Sequence, residues 1–239
     1  MKTKIFLSTV FFLITSVLLA QNSIPLIGSK APVFVSETTN GTLKFPDDFG
    51  RKWKILFSHP GDFTPVCTSE ILHLAIMQEK FAQLNVEIAV LSTDSKNLHL
   101  LWKKSMEEVL SKGASEVKIN FPLIADERAD ISKLYGMLHQ PVSTTRSVRG
   151  VFIVNPDNIV EATYFYPMNI GRNMEEVLRT VQALQTSQAN NLFTPANWTP
   201  GGDLLVPHFP YTREELAEEP EKFNEFYNIG TLLWYKKNK

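Results

Sequence analysis

The chain has 239 residues, 44% of them hydrophobic, and its 24 Lys and Arg residues nearly balance its 25 Asp and Glu residues. This length suits a globular protein with one sizeable core, and the weak net charge of −1 argues against nucleic acid or membrane lipid as a partner. The single cysteine, Cys67, excludes an internal disulfide, so the fold does not depend on such cross-links.

Residues 1–20 are predicted to be a signal peptide. The stretch Met1-Lys2-Thr3-Lys4 gives a basic start, and the 16 residues from Ile5 to Ala20 carry no charge. That apolar stretch is shorter than the roughly 20 residues that cross a bilayer, and it ends in a small residue, as a cleavage site requires. We expect export to the periplasm or the cell exterior after cleavage, with a retained N-terminal anchor as the alternative.

The mature chain alternates between strand and helix patterns. In chain order the predicted elements are an N-terminal hairpin (Pro32–Val35 and Thr42–Phe45), a buried strand (Trp53–Phe57), a helix (Pro65 to about Leu84), a strand (Glu87–Ser92), a helix capped by Thr93-Asp94-Ser95 that stops near Gly113, a strand (Phe121–Ala125), a short helix (Ala129–Tyr135), a hairpin (Val148–Val154 and Ile159–Tyr166) and a helix (Asn173 to about Thr186). This order favours an α/β three-layer sandwich of the thioredoxin type over residues 24–187.

The composition changes after Gln188. Prolines and glycines interrupt regular structure there, yet the apolar residues are too many for a free linker and need a surface to cover them. We therefore predict a C-terminal extension over residues 188–239. Glu214 to Asn224 is predicted to be an acidic, solvated helical face, and the tail that follows has no predicted function.

The stretch from Ser58 to Cys67 places the cysteine where it can react. Thr64 followed by Pro65 is typical of a helix start, with the Thr hydroxyl predicted to cap free backbone N–H groups. Cys67 then occupies the third helical position, where the unpaired N–H groups and the helix dipole favour a thiolate. An inert cysteine usually lies in an apolar periodic stretch, whereas polar residues surround this one. We therefore interpret Cys67 as a nucleophile.

Pro60-Gly61-Asp62-Phe63-Thr64-Pro65-Val66-Cys67 resembles the Pro-x-x-x-Thr-x-x-Cys signature of the peroxiredoxins, the AhpC/TSA-like thiol peroxidases. The likeness runs from about Pro25 to about Pro207. Longer stretches resemble the one-cysteine class of the family with its C-terminal extension: Arg149-Gly150-Val151-Phe152-Ile153-Val154, Tyr166-Pro167, Gly171-Arg172-Asn173 and Thr194-Pro195-Ala196-Asn197-Trp198.

The resemblance implies a thioredoxin fold and reduction of hydrogen peroxide and small organic hydroperoxides through a sulfenic acid on Cys67. Because no second cysteine is present, the reductant is expected to be an external thiol or a protein. The resemblance also implies a homodimer built with the extension, or a higher ring, and it implies no cofactor and no metal. The residues expected in the site are Thr64 and Arg149 as catalytic groups beside Cys67, with Pro60, His59, Glu70 and Arg172 around the substrate pocket.

The positive charge beside the sulfur has a second candidate. Arg146 lies three residues before Arg149, which would place it on the opposite face of the predicted strand. The match to the apolar strand favours Arg149. Glu70, one turn after Cys67, is expected either to orient an arginine or to stabilise the helix N-terminus.

Two other functions stay open at this point. His59 and Cys67 together are compatible with a cysteine-dependent hydrolase, and a secreted scaffold or holdase would leave the cysteine incidental. Some one-cysteine relatives carry a phospholipase Ser in a Gly-Asp-Ser-Trp segment, but the matching stretch here is Gly50-Arg51-Lys52-Trp53. Since Lys52 stands where that Ser would be, this activity is not expected.

Overall fold

A computed structural model describes residues 24–111, 118–230 and 232–238. The predicted signal peptide and Gly113 lie outside these ranges. Among the described residues, no helix has both the length and the apolar character that a membrane-spanning segment needs. The chain divides into two compact units, one ending at Arg172 and the other beginning at Asn173.

The first unit is built on a mixed sheet that has seven strands within the described residues. Strands β3, β4 and β5 are parallel, and the remaining pairings are antiparallel. In sheet order the strands are β2 (Gly41–Phe45), β1 (Phe34–Thr38), β5 (Leu123–Ala125), β4 (Val86–Ser92), β3 (Trp53–Ser58), β6 (Arg149–Val154) and β7 (Val160–Tyr166). The two predicted hairpins, β1–β2 and β6–β7, are confirmed.

Three helices belong to this unit: α1 (Pro65–Gln83), α2 (Lys96–Leu110) and α3 (Asp130–Leu134). Helix α1 packs on β4, and α2 packs on β5. The predicted cap of α2 is confirmed, since the Ser95 side chain accepts a hydrogen bond from the Leu98 N–H. Each predicted helix is present, with ends within a few residues of the expected ones.

Strand β3 runs through the middle of the core and leads to the cysteine. Every residue from Trp53 to Ser58 is buried, which includes the charged Lys54. Its Nζ donates to Asn158 Oδ1 at 2.6 Å, so the buried ammonium has a partner in the β6–β7 turn. Strand β6 pairs antiparallel with β3, with Val151 opposite Phe57. Continuing this register brings Arg149 beside the residues that follow Ser58.

The second unit contains helices α4 (Met174–Asn190) and α5 (Arg213–Glu218) and a small antiparallel sheet. The sheet order is β8 (Leu204–Leu205), β10 (Leu233–Lys236), β9 (Phe226–Ile229). Helix α4 continues past the predicted end near Thr186 to Asn190, where Asn191 adopts a left-handed conformation with φ 51°. The predicted boundary after residue 187 stays a prediction.

The acidic segment of this unit differs from the expected single helix. Helix α5 ends at Glu218, and a 3-10 helix covers Pro220–Glu225. The break has a physical reason: Pro220 has no N–H group to continue the helical hydrogen bonds. A small core of Ala183, Trp198 and Leu204 stabilises the unit.

Candidate active site

The turn after β3 delivers Cys67 to the first turn of α1. Phe63 adopts a left-handed conformation, with φ 57°, and α1 begins at Pro65, as predicted. Cys67 therefore occupies the third helical position. Its side chain is fully buried, so the sulfur lies in a site that excludes bulk water.

The predicted cap by Thr64 is wrong. Thr64 does precede the first helical residue, but its side chain accepts no capping hydrogen bond. Its hydroxyl instead donates to the Gly61 carbonyl at 2.9 Å, because the tight turn brings that carbonyl within reach. The hydroxyl thus closes the turn that precedes Cys67.

Arg149 contacts the sulfur directly. Its Nη1 lies 3.4 Å from Cys67 Sγ and 2.7 Å from Glu70 Oε2. Its Nε and Nη2 both donate to the Met168 carbonyl, at 3.0 and 2.5 Å. These partners fix the guanidinium plane, with its positive charge next to the sulfur.

Glu70 lies between two arginines. Its Oε2 accepts from Arg149 Nη1 and from Arg172 Nη2, both at 2.7 Å. Its Oε1 accepts from the backbone N–H of Arg172 at 2.7 Å and from Arg172 Nε at 2.9 Å. Arg172 Nη1 also donates to the carbonyls of Ser58 and Gly150. Arg172 was expected to give the pocket a positive charge, but its guanidinium points to Glu70 and these carbonyls.

An open pocket of about 450 Å³ leads to this cluster. Its walls are mostly apolar, with two guanidinium groups among them. The lining residues are Pro60, Thr64, Pro65, Val66, Arg146, Arg149 and Met168. Arg149 lines the pocket and also contacts Cys67 Sγ, so its guanidinium connects the pocket to the buried sulfur.

The chain's similarity to known families agrees with this geometry. The model of the AhpC/TSA family matches residues 27–163, more than half of the chain. The chain belongs to this family. A second model, the C-terminal domain of 1-Cys peroxiredoxin, matches residues 183–218. The protein is therefore a peroxiredoxin, a thiol-dependent peroxidase.

Relatives and solved structures extend the similarity over most of the chain. A peroxiredoxin of Methanosarcina mazei is 47% identical over 202 residues, which cover 84% of this chain and 92% of the relative. One from Thermotoga maritima is 43% identical, with coverage of 90% and 97%. A structure of the yeast mitochondrial 1-Cys peroxiredoxin is 33% identical, with a TM-score of 0.78 and coverage of 90% and 100%. A mutant peroxiredoxin 6 of Arenicola marina gives the same TM-score at 29% identity, with coverage of 90% and 98%. The predicted thioredoxin-like fold is thus confirmed.

Arg146 takes a different place in this peroxiredoxin from the one expected. Strand β6 begins at Arg149, so Arg146 lies in the preceding loop, where strand alternation does not apply. Its exposed side chain lines the pocket, and its Nη1 donates to the Pro60 carbonyl at 2.9 Å. A Cβ on Gly61 would lie 2.1 Å from that Nη1, so a larger residue at position 61 would displace the guanidinium from this place.

Asp62 and His99 form a buried pair that the sequence did not reveal. His99 Nδ1 lies 2.7 Å from Asp62 Oδ2, and His99 Nε2 lies 3.0 Å from the Ile124 carbonyl. A carbonyl only accepts, so His99 Nε2 donates to Ile124 while His99 Nδ1 pairs with the Asp62 carboxyl group. Burial raises the pKa of Asp62, although its hydrogen bond with His99 opposes that shift. The pair joins the Cys turn to α2 and β5.

His59 lies behind the sulfur site and does not line the pocket. Its ring is fully buried and lies 5.1 Å, centroid to centroid, from the ring of Trp102. Its Nε2 is 3.7 Å from Asp62 Oδ1, beyond hydrogen-bond distance. Burial, helped by the positive charges of His99, Arg172 and Arg149, holds the pKa of His59 well below its usual value. His59 is therefore neutral near pH 7.

Proposed function

We propose that Cys67 is the nucleophile of this thiol peroxidase. Its thiolate attacks one peroxide oxygen, so that an S–O bond forms while the O–O bond breaks. The other oxygen leaves as hydroxide or alkoxide and takes a proton, and the sulfur becomes a sulfenic acid. The observation that carries the proposal is the 3.4 Å contact between Arg149 Nη1 and Cys67 Sγ.

The charges around the sulfur support a thiolate. Arg149, Arg172 and Glu70 are buried together, and their charges sum to +1. A thiolate on Cys67 brings the buried cluster to neutrality, whereas a thiol leaves an uncompensated positive charge, which is costly to bury. The arrangement therefore favours the reactive form of the cysteine.

The pocket residues divide into two roles. Arg149 touches the reacting atoms and stabilises the negative charge that develops on the leaving oxygen. Glu70 and Arg172 act as positioning residues, because they reach the sulfur only through Arg149 and the backbone. Thr64 lines the pocket, and its hydroxyl oxygen can accept a hydrogen bond from the peroxide while the hydroxyl donates to the Gly61 carbonyl. Pro60 shields the sulfur from water.

The pocket volume and the single cysteine indicate the size of the substrates and the source of the reductant. A pocket of about 450 Å³ admits hydrogen peroxide and small organic hydroperoxides. With one cysteine in the chain, no internal disulfide resolves the sulfenic acid, so the second half of the cycle uses an external thiol or protein. The yeast mitochondrial relative, whose structure concerns resolution by glutathione and thioredoxin systems, supports this proposal.

We also propose export and a homodimer. The basic, apolar start of the chain supports cleavage of residues 1–20 and a periplasmic or secreted location. The match of residues 183–218 to the 1-Cys peroxiredoxin C-terminal domain supports an extension that takes part in dimer formation. A ring of dimers is a further arrangement of the same surfaces.

The variant Cys67→Ser tests the proposed nucleophile. Thiol-dependent consumption of hydrogen peroxide should fall to the background rate, while the oligomeric state measured by light scattering stays that of the wild type. Ser69→Ala, on the exposed side of the same helix turn, is the matched control and should keep its activity. Peroxide turnover by Cys67→Ser would contradict the proposal. Turnover of an ester or peptide by the wild type without peroxide would favour the hydrolase alternative.

A further inference from the structure

Arg146 is a second positive charge at the pocket. It lines the same walls as Arg149, but it neither contacts the sulfur nor joins the Glu70 cluster. Its exposed guanidinium is held at the pocket by the 2.9 Å bond from Nη1 to the Pro60 carbonyl. The position is thus set by the turn that carries Cys67.

Arg146 forms no salt bridge within the described part of the chain, although the Asp94 carboxylate lies at the same turn, with Oδ2 3.4 Å from the position that a Gly61 Cβ would take. No carboxylate within residues 24–111, 118–230 and 232–238 lies within 4.0 Å of its guanidinium. Two carboxylates lie near this turn and have other partners: Asp94 accepts from the Asp62 N–H and the Ser92 hydroxyl, and Asp62 pairs with His99. In contrast, the exposed arginines Arg51 and Arg128 pair with Asp157 and Asp130.

Uncharged peroxides do not use such a charge. Hydrogen peroxide needs only the donors beside the sulfur, which Arg149 supplies. A guanidinium offers a planar set of donors that matches a carboxylate. The apolar walls formed by Pro60, Pro65, Val66 and Met168 suit a short hydrocarbon chain between the two polar ends of a substrate.

From this geometry we infer that Arg146 determines substrate specificity and favours organic hydroperoxides that carry a carboxylate. The hydroperoxide end would lie at Cys67 and Arg149, and the carboxylate would lie at Arg146. The inference deepens the proposed function and rests on Cys67 as the nucleophile. It concerns the peroxide, because the reaction with Cys67 precedes any contact with the reductant.

The test compares a carboxylated analogue of tert-butyl hydroperoxide with its methyl ester, in the absence of reductant. The rate constant for oxidation of Cys67 is measured for each by rapid quench and mass spectrometry, and the ratio of acid to ester is the readout. Arg146→Gln keeps a donor for the Pro60 carbonyl and removes the charge. In this variant the ratio of the acid to the ester rate constant should fall by about fivefold, the scale expected for one solvent-accessible ion pair. Arg146→Lys should keep most of the preference.

Arg51→Gln is the matched control, because it removes an exposed positive charge just before the start of β3. The turn that carries Cys67 follows the other end of this strand. Its ratio should equal that of the wild type. An unchanged ratio in Arg146→Gln, or an equal fall in Arg51→Gln, would overturn the inference.

If Arg146→Gln does not fold, a second measurement on the wild type still tests the inference. Salt screens charges near the surface, so the wild-type ratio should decrease as ionic strength rises, and a flat ratio would contradict the inference. The proposed nucleophile and the proposed role of Arg146 can also be contradicted independently. If neither peroxide oxidises Cys67, the proposed nucleophile is wrong. If both oxidise it at the same rate in the wild type, only the role of Arg146 is wrong.

Discussion

At the scale of single residues, one carboxylate organises the site. Glu70 holds Arg149 against Cys67 and holds Arg172 against the backbone of β3 and β6. A buried ion pair is weak evidence of net stability, but loss of one partner leaves an uncompensated charge. Glu70 is therefore expected both to hold Arg149 in position and to compensate the buried charges of the two arginines.

Glu70→Gln tests the effect of this carboxylate on stability and its effect on the position of Arg149. Two buried guanidinium groups would face a neutral amide, so the free energy of unfolding should fall by about 3 to 5 kcal/mol. The rate of Cys67 oxidation should fall at least tenfold, because Arg149 is no longer held. Glu79→Gln, exposed on the same helix, is the control, and an equal loss in both variants would argue against the positioning role.

His59 predicts how stability depends on pH. Its pKa in the fold lies well below the usual value of 6.5, so below that pH the unfolded chain binds a proton that the folded chain does not. Stability should then decrease as pH falls below about 6.5, by up to about 1.4 kcal/mol per pH unit for this group. Urea unfolding between pH 7 and 5 should show a shallower decrease in His59→Gln than in the wild type. His73→Gln, at an exposed position, should keep the wild-type slope, and parallel slopes for all three proteins would contradict the account.

At the scale of secondary-structure elements, local patterns predicted much of the site. Thr64-Pro65 indicated the start of α1 and so placed Cys67, whereas Arg149 was assigned to the site by the resemblance of its strand to the peroxiredoxin family. Glu70 followed from helical spacing. What the sequence did not predict comes from contacts between elements: the Asp62–His99 pair spans 37 residues of chain, and Arg146 acts from a loop with no periodicity. The β8–β10 pairing was missed for the same reason.

The contact between Lys54 and Asn158 is such a link between elements. Asn158 has a φ of 61°, which glycine adopts at no cost, so Asn158→Gly should destabilise mainly through the lost bond to the buried ammonium, with a smaller loss from the long, exposed bond to Asp47 Oδ1 at 3.3 Å. We expect a loss of about 1.5 to 3 kcal/mol in unfolding free energy. Asn85→Gly replaces an exposed residue with a φ of 58° and should be neutral or slightly stabilising. Equal effects of the two substitutions would argue against the contribution of Lys54.

At the scale of the whole molecule, the proposed signal peptide predicts where the enzyme works. When the full chain is expressed in a bacterial host with a secretory pathway, the mature protein should begin at Gln21 and be found outside the cytoplasmic membrane. N-terminal mass spectrometry of cell fractions measures both properties. A variant without residues 2–20 is the control and should stay in the cytoplasm. A chain that keeps residues 1–20 and sediments with membranes would favour the retained anchor.

The chain contains a first unit with the reactive cysteine and a second unit, part of which matches the C-terminal domain of 1-Cys peroxiredoxin. One cysteine in 239 residues makes the oxidation step simple to isolate, since no other thiol competes for peroxide or hides the product. In the proposed mechanism, the first half-cycle takes place at Cys67 beside Arg149.

The most direct measurement of this chemistry is a single turnover at equimolar peroxide without reductant. Loss of peroxide and formation of the sulfenic acid, trapped with a dimedone probe and located by peptide mass spectrometry, are followed in the same samples. The account predicts that both proceed at one rate, with the adduct on Cys67 alone, and that Arg149→Gln slows both at least tenfold. Consumption of peroxide with Cys67 unmodified, or an unchanged rate in Arg149→Gln, would contradict it.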